Sequence, residues 1–595
     1  MSDLIIKSWK HDGKESSEYS AFDSGSFGKN KSRRPLELAR TRLIVAGFMF
    51  TACFLLLATR IIDLSLIGAD SQIISSNHGS SSKLTLERRD IVDRNNIVLA
   101  TNLPFESLYV DPSKVLEPEI ALAKIKDILP QIDEKSLLRQ INSGGTFHWV
   151  KRGLTPNQIW KINNLGLPGF IFKKEEKRVY PHGTLFAHVL GYTDPDNKGI
   201  SGIESGLDSK LKGKNHNDAS PLMLSLDIRI QHALVIELSE AMAIFKAKGS
   251  SGIVMDVNSG EIIALASLPA FDPNLHGESS KNEKFNRATL GVYELGSVFK
   301  IFNTALALDS GIVSLDDKYD ATKPLKKSGH LIRDTDPKNR WLNVSEIFIH
   351  SSNIGSAQIA TDVGTENQRE FLSRLGMLNS VNLEIPEVAK PLSPRPWRPL
   401  NTMTVSYGYG ISVTPLHVLN GFSSLVNGGF KREPTLLKRN SFTDATEASR
   451  IISLGTSDLM RKLLYRAVTE GTGGSARVEG YLVGGKTGTA DKAILGGYKK
   501  DAVISTFIAA FPIDKPRYAV IVSLDEPKGN KATFNHSGAG WTAAPTVGRI
   551  ISRVGPLLGV ESINPPNIES EDPNIVRPVI NILRTKFIRG ESATF

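Results

Sequence analysis

Ser297-Val298-Phe299-Lys300 sets a hydroxyl and an amine three residues apart, on one face of the first turn of a helix. The run behind it, Ile301-Phe302-Asn303-Thr304-Ala305-Leu306-Ala307-Leu308, is apolar almost all round and is closed by Asp309-Ser310-Gly311. A helix of that composition has to be buried. A lysine at its mouth is costly to keep charged, so its pKa falls, and a neutral lysine can take the proton of the serine beside it. The free N–H groups and positive dipole end of the helix suit a developing oxyanion. The stretch reads as an activated serine nucleophile.

The spacing alone is not specific. Ser80-Ser81-Ser82-Lys83 and Ser209-Lys210-Leu211-Lys212 share it in polar surroundings, and a serine that only caps a helix beside a solvated lysine would look the same. Two further groups follow in order. Ser351-Ser352-Asn353 ends the apolar stretch Ile347-Phe348-Ile349-His350, although such residues also serve as caps and turns. Gly484-Gly485-Lys486-Thr487-Gly488-Thr489-Ala490 is the most specific signal, and Lys327-Ser328-Gly329 is only a looser look-alike. Glycines on both sides of Lys486 would let a substrate backbone lie against an edge strand. The plain alternative is a solvated lysine that protects a sheet edge.

These groups need a frame. Ser251–Val257 and Glu261–Ala266 flank Asn258-Ser259-Gly260, and Ser505–Pro512 and Arg517–Ser523 flank Ile513-Asp514-Lys515-Pro516. Two hairpins around a long, mostly helical middle predict one antiparallel sheet built from both ends of the domain, flanked by helices: an α/β (α+β) fold. Upstream, Leu86–Ala100 with its Asn95-Asn96 turn predicts a hairpin, and residues 115–165 carry helical periodicity. Arg178–Gly183 and His188–Glu204 suggest a compact non-catalytic module, with a boundary near residue 220. After Pro565-Pro566 the tail is polar, with a short docking helix expected over Ile575–Ile588.

The chain has 595 residues, enough for two or three domains, and a net charge of +10. Lys29, Lys31, Arg33, Arg34, Arg40 and Arg42 gather just before Leu43–Thr59, which holds no charge, and Arg60 follows. A cleaved signal peptide is disfavoured, because the run starts far from the N-terminus and no small-residue cleavage site follows it. The reading is an uncleaved single-span anchor with a disordered cytoplasmic arm before it and the rest of the chain across the membrane. The charge excess is therefore juxtamembrane, and no nucleic acid partner is expected. Cys53, the only cysteine, lies in the span, so the exported part can form no disulfide and no cysteine-ligated metal site. No phosphate loop or zinc spacing occurs in the non-catalytic module, and neither cofactor nor metal is expected.

Taken together, Ser297-x-x-Lys300, Ser351-x-Asn353 and Lys486-Thr487-Gly488, in that order and between those hairpins, resemble the three-part signature of penicillin-binding proteins and serine β-lactamases. Val292–Lys300, Tyr407–Pro415 and Glu470–Ala476 look like segments of the class B penicillin-binding proteins, and Arg88–Ala100 and Arg178–Glu204 like that class's non-catalytic module. Leu295 stands where the family commonly has proline, and Arg89 and Asn96 where it commonly has glycine. The short module resembles the division-specific, septal enzyme rather than its elongation-specific relative, and no segment resembles a glycosyltransferase domain.

The resemblance implies residues 1–42 as the arm, 43–62 as the anchor, 63–224 as the membrane-proximal module, 225–560 as the transpeptidase domain and 561–595 as the tail. It implies a bacterial inner-membrane protein with a cytoplasmic N-terminus and a periplasmic catalytic domain. The implied activity is D,D-transpeptidation of peptidoglycan stem peptides ending in D-Ala-D-Ala, with covalent inhibition by β-lactams. Ser297 would attack, with Lys300 as base, although the identity of the acylation base is open in the wider superfamily. Ser351 would relay a proton to the leaving D-Ala, with Lys486 holding the charge. Asn353 would bind the substrate amide, Thr487 and Thr489 its carboxylate, with Gly488 between them. The N–H groups of Ser297 and Thr489 would form the oxyanion hole. A polytopic glycosyltransferase and other division proteins are the implied partners. A carboxypeptidase or β-lactamase, an elongation enzyme, and a β-lactam-binding scaffold without turnover are the alternatives.

Overall fold

Val254, Phe507, Val520 and Val522 alternate along their strands with Ile253, Ile508, Ala519 and Ile521, and both sets are fully buried. Period-two alternation with both sides apolar makes a sheet that is covered on both faces. In the computed structural model it is five-stranded and antiparallel, in the order β12-β13-β14-β6-β7. Its strands are β6 (Gly249–Asp256), β7 (Ile262–Leu268), β12 (Gly484–Ile494), β13 (Gly497–Phe511) and β14 (Tyr518–Asp525). Both predicted hairpins are present, and β14 pairs with β6, Ala519 opposite Met255, to join them into one sheet. Gly260 closes the first turn at φ +77°, where the Asp256 carboxylate accepts from Asn258 N and Ser259 N.

The structure describes residues 34–62, 88–212, 220–327, 329–439, 449–494 and 496–563. The first thirty-three residues, the 213–219 connection and the helix expected over Ile575–Ile588 lie outside them. The chain divides into Met1–Thr85 and Leu86–Phe595. In the first unit, α1 runs from Arg34 to Ile62, and its side chains are described over 44–59. Phe48, Phe50, Phe54 and Leu56 along it are exposed. Among the described residues no helix is long and apolar enough to cross a membrane. The anchor expected over 43–62 lies only partly within the described side chains.

In the second unit, β1 (Ile91–Val92) and β2 (Val98–Val110) form the predicted hairpin, and Asn96 takes φ +65° at its turn. Asparagine tolerates that conformation, which explains how it can stand where glycine is common. β2 also pairs with β3 (His148–Leu154) and β4 (Phe170–Val179), while β1 pairs with β5 (Leu222–Met223). Helices α2 (Pro118–Ile128), α3 (Glu134–Asn142) and α4 (Pro156–Asn164) pack on β2–β4 to form a small core of their own, around Leu108, Leu122, Ile125 and Leu154. The helical reading of 115–165 therefore needs one correction: His148–Leu154 is a strand, held by pairing with β2 that local periodicity does not reveal.

The short helices α5 (Ala187–Leu190), α6 (Gly202–Gly206) and α7 (Asp208–Leu211) lead toward α8 (Ile228–Ile244). Ile91, Leu99, Tyr180 and Ile203 belong to the same apolar core as Ile253 and Phe302, so packing runs without a break across residue 224. Arg178, Arg88 and Glu204, from the two hallmark segments of the module, meet inside it. Glu204 receives Arg88 Nε at 2.6 Å and Arg178 Nε at 2.7 Å, and all three side chains are buried.

α9 (Lys281–Lys284) precedes the helical layer on the face of the sheet opposite α8 and α17 (Ala543–Leu557). That layer contains α10 (Lys300–Asp309), α11 (Val344–Ile349), α12 (Asn353–Val363), α13 (Thr365–Arg374), α14 (Pro399–Val405), α15 (Pro415–Val426) and α16 (Leu454–Thr469). Between α10 and α11 lie four short strands: β8 (Lys318–Asp320) pairs with β11 (Trp341–Asn343), and β9 (Leu325–Lys327) with β10 (His330–Ile332).

Candidate active site

Ser297 lies in a 3-10 turn, Gly296–Phe299, that runs directly into α10. Every residue of α10 from Lys300 to Ala307 is buried, which anchors the turn from behind. Three glycines hold it from the front. Gly296 adopts φ +55°, and a Cβ there would stand 2.5 Å from the Thr489 carbonyl oxygen. A Cβ on Gly408, at φ +85°, would stand 2.1 Å from the Gly296 oxygen, and one on Gly488 would stand 2.2 Å from the Leu295 oxygen. Backbone thus packs on backbone on both sides of Ser297. The glycine reading changes accordingly: a Cβ on Gly485 would meet Phe507 and the Ile508 oxygen, and Gly488 makes room for Leu295 and Val298. Both glycines serve the protein's own packing.

Lys300 is fully buried, and its Nζ lies 2.8 Å from Ser297 Oγ. Nζ also donates to the Ser351 carbonyl at 2.9 Å and to Asn353 Oδ1 at 2.6 Å, and Ser351 Oγ is at 3.2 Å. The Ser351 carbonyl and Asn353 Oδ1 can only accept, so they occupy two N–H groups. In a neutral amine that leaves the lone pair free to face Ser297. Burial holds the Lys300 pKa well below the ordinary lysine value, and the charge of Lys486 pushes it further down, while Asp334 opposes them.

Ser351 carries φ +61°, an uncommon conformation for a residue with a side chain. Lys300 Nζ on its carbonyl and its own N–H on the Phe348 oxygen hold it there. The helix cap is the next residue: Ser352 Oγ accepts from Gly355 N at 3.0 Å. Lys486, on β12, is also fully buried and donates to Ser351 Oγ at 3.0 Å. Burial brings its pKa down to about 7. A solvated edge lysine is excluded by that burial. Thr487 Oγ1 lies 2.6 Å from Thr472 Oγ1, and Thr489, which is exposed, accepts from Ala539 N at 2.9 Å.

One hydroxyl, Ser297 Oγ, thus has a desolvated amine against it. A second, Ser351 Oγ, sits between two such amines. That arrangement can remove a proton from one oxygen and return it through another. The structure brings Ser297, Lys300, Ser351, Asn353 and Lys486 into one hydrogen-bonded group, with Thr487, Gly488 and Thr489 along the adjoining strand. Three contributors had no recognisable pattern. Asp334 lies in a polar loop, Thr472 and Gly408 were visible only inside the Glu470–Ala476 and Tyr407–Pro415 resemblances, and Gly408 acts through packing.

Residues 250–551 match the penicillin binding protein transpeptidase domain, and 84–219 the penicillin-binding protein dimerisation domain. The chain belongs to the penicillin-binding protein transpeptidase family. Within it, the chain is 37% identical over 540 residues to a Caulobacter vibrioides protein named probable peptidoglycan D,D-transpeptidase FtsI, covering 89% of this chain and 90% of that one. It is 34% identical to a Neisseria meningitidis protein named probable peptidoglycan D,D-transpeptidase PenA, covering 81% and 86%. Peptidoglycan D,D-transpeptidase FtsI of Escherichia coli is 28% identical, covering 83% and 87%. The fold is shared with penicillin-binding protein 3 of Mycobacterium tuberculosis, solved with aztreonam, at a TM-score of 0.63 and 23% identity over 81% of this chain and 98% of that one. The class B α+β transpeptidase fold expected from the sequence is the one observed.

Proposed function

We propose that Ser297 is the nucleophile of a peptidoglycan D,D-transpeptidase acting in division, and that Lys300 is its general base. The observation that carries the reading is the fully buried Lys300 amine, 2.8 Å from Ser297 Oγ, whose two N–H groups as a neutral amine are taken up by the Ser351 carbonyl and Asn353 Oδ1. Ser297 Oγ attacks the penultimate D-Ala carbonyl of a stem peptide as its proton passes to Lys300. The C–N bond breaks, and the terminal D-Ala leaves with a proton returned through Ser351, beside which Lys486 balances charge. An amine of a second stem peptide then attacks the ester and frees Ser297. The N–H groups of Ser297 and Thr489 serve the oxyanion, a donor of this kind being worth roughly 10²–10³ in rate. Asn353 contacts the substrate amide, and Thr487, Gly488 and Thr489 its carboxylate end. A β-lactam offers a strained amide and a carboxylate in the same arrangement, and acylates Ser297.

The membrane placement extends this reading. Large apolar side chains exposed along α1, after a cluster of basic residues, favour a single-pass anchor with residues 1–42 cytoplasmic and the catalytic domain, 225–560, in the periplasm. The module at 63–224 and the anchor then face division partners, a polytopic glycosyltransferase among them.

Mass spectrometry of the protein after exposure to benzylpenicillin tests the assignment. The expected result is one slowly released adduct on the peptide containing Ser297, absent in Ser297→Ala with the fold retained. Rapid drug turnover would make the chain a hydrolase, and labelling of Ser297→Ala would remove the serine from the chemistry.

A further inference from the structure

The first turn of α12 carries Asn353 to Lys300, and a helix start leaves N–H groups in need of acceptors. Ser352 serves one of them, Gly355 N. Two others are taken from outside the helix. Asp334 Oδ1 accepts from Asn353 N at 2.6 Å and from Ile354 N at 2.9 Å, and Asp334 Oδ2 accepts from Ser352 Oγ at 2.7 Å. The neighbouring Arg333 carbonyl accepts from Asn353 Nδ2 at 2.9 Å, which turns Asn353 Oδ1 toward Lys300. Both contacts come from the loop after β10, a stretch no catalytic motif covers.

We propose that Asp334 is a positioning residue for the transfer reaction: it clamps the first turn of α12 so that Asn353 Oδ1 and the Ser351 carbonyl hold Lys300 Nζ toward Ser297 Oγ. The carboxylate does more than an ordinary cap. Its negative charge complements the helix dipole and acts on the buried Lys300 amine. Among the described residues the charged groups acting on Lys300 are two, Lys486 from β12 and Asp334 from this loop, and they act in opposite senses. Asp334 therefore fixes where Lys300 points and how readily it carries a proton.

The inference rests on Lys300 acting as base, and its test separates the two. Acylation of the full-length protein by a fluorescent penicillin is followed across the neutral pH range for wild type, Asp334→Asn and Asp334→Glu, with thermal melts alongside. Asp334→Asn keeps the size and loses the charge. Its limiting rate is expected to fall about 10–100-fold, as a looser reacting geometry would give. The acid limb of its profile moves to lower pH, because loss of the negative charge makes Lys300 easier to deprotonate. Asp334→Glu restores the limb to the wild-type position even where the rate stays reduced. A profile unchanged in rate and limb overturns the proposal. So does a slower Asp334→Asn whose limb has not moved, which is what a purely structural anchor would give. If Ser297→Ala is still labelled, the acyl-serine reading itself fails. If Ser297→Ala is silent and Asp334→Asn behaves as wild type, only the role of Asp334 falls.

Discussion

Lys486 donates to Ser351 Oγ at 3.0 Å from a position with no solvent exposure. Its folded pKa of about 7 lies below the ordinary value of 10.5, so between those two values the unfolded chain binds a proton that the native one does not. Stability then rises with pH across that window, and the burial penalty is complete below about pH 7. Lys486→Met removes the penalty and the Ser351 contact together. The expected outcome is a higher melting temperature, with a gain that is largest near and below pH 7 and fades toward pH 10.5. The variant's penicillin acylation falls by orders of magnitude. Melts at several pH values beside labelling kinetics check both halves.

Lys300→Ala leaves the turn and helix in place but removes the amine from Ser297, Ser351 and Asn353 at once. Acylation is expected to fall by about 10²–10⁴-fold, the usual yield of positioned acid–base catalysis. Stopped-flow labelling under excess drug measures it. An undiminished rate would take Lys300 out of the mechanism.

Gly408→Ala should damage the site without touching any reacting group. The new Cβ would sit 2.1 Å from the Gly296 oxygen, and φ +85° is itself unfavourable for alanine by about 1–2 kcal/mol. The turn carrying Ser297 has to shift, so labelling slows and the melting temperature drops together. Gly410→Ala is the control: its φ is similarly positive at +79°, but its nearest contact is Thr404 Oγ1 at 3.4 Å, so it strains the backbone without displacing Gly296.

Glu204→Ala would leave Arg88 and Arg178 buried without their shared carboxylate. Removing one partner of such a group costs about 3–5 kcal/mol. The variant is expected to melt several degrees lower, while the protein that remains folded at low temperature acylates at the wild-type rate. Loss of labelling without loss of stability would show that this hub communicates with the site.

The residues that meet at the candidate site stand out in the sequence because their combinations are rare. A serine three residues before a lysine on a helix that is apolar almost all round is uncommon, and Lys486 among glycines is more so. Residues acting through shape or charge were not. Asp334 lies among polar neighbours that look like any loop, and only the folded chain shows three donors converging on it. The central sheet announced itself through turn-flanked runs such as Ser251–Val257. β4, reading Phe170-Ile171-Phe172-Lys173-Lys174-Glu175-Glu176-Lys177-Arg178-Val179, carries too much charge for alternation to show, and pairing with β2 holds it extended. Continuous packing across residue 224 was equally hidden, since a polar connection in sequence says nothing of what touches it in space.

The pairing of β14 with β6 sets a timetable for synthesis. Ser297, Lys300, Ser351 and Asn353 all leave the ribosome before Lys486 does, and Lys486 reaches its place only when β13 and β14 have been made and β14 has docked on a strand produced at the start of the domain. A chain made only as far as Asn353 therefore carries the serine without the second amine or the strand beside it. The full group is complete only when the two ends of the domain are joined, Asp525 opposite Gly249.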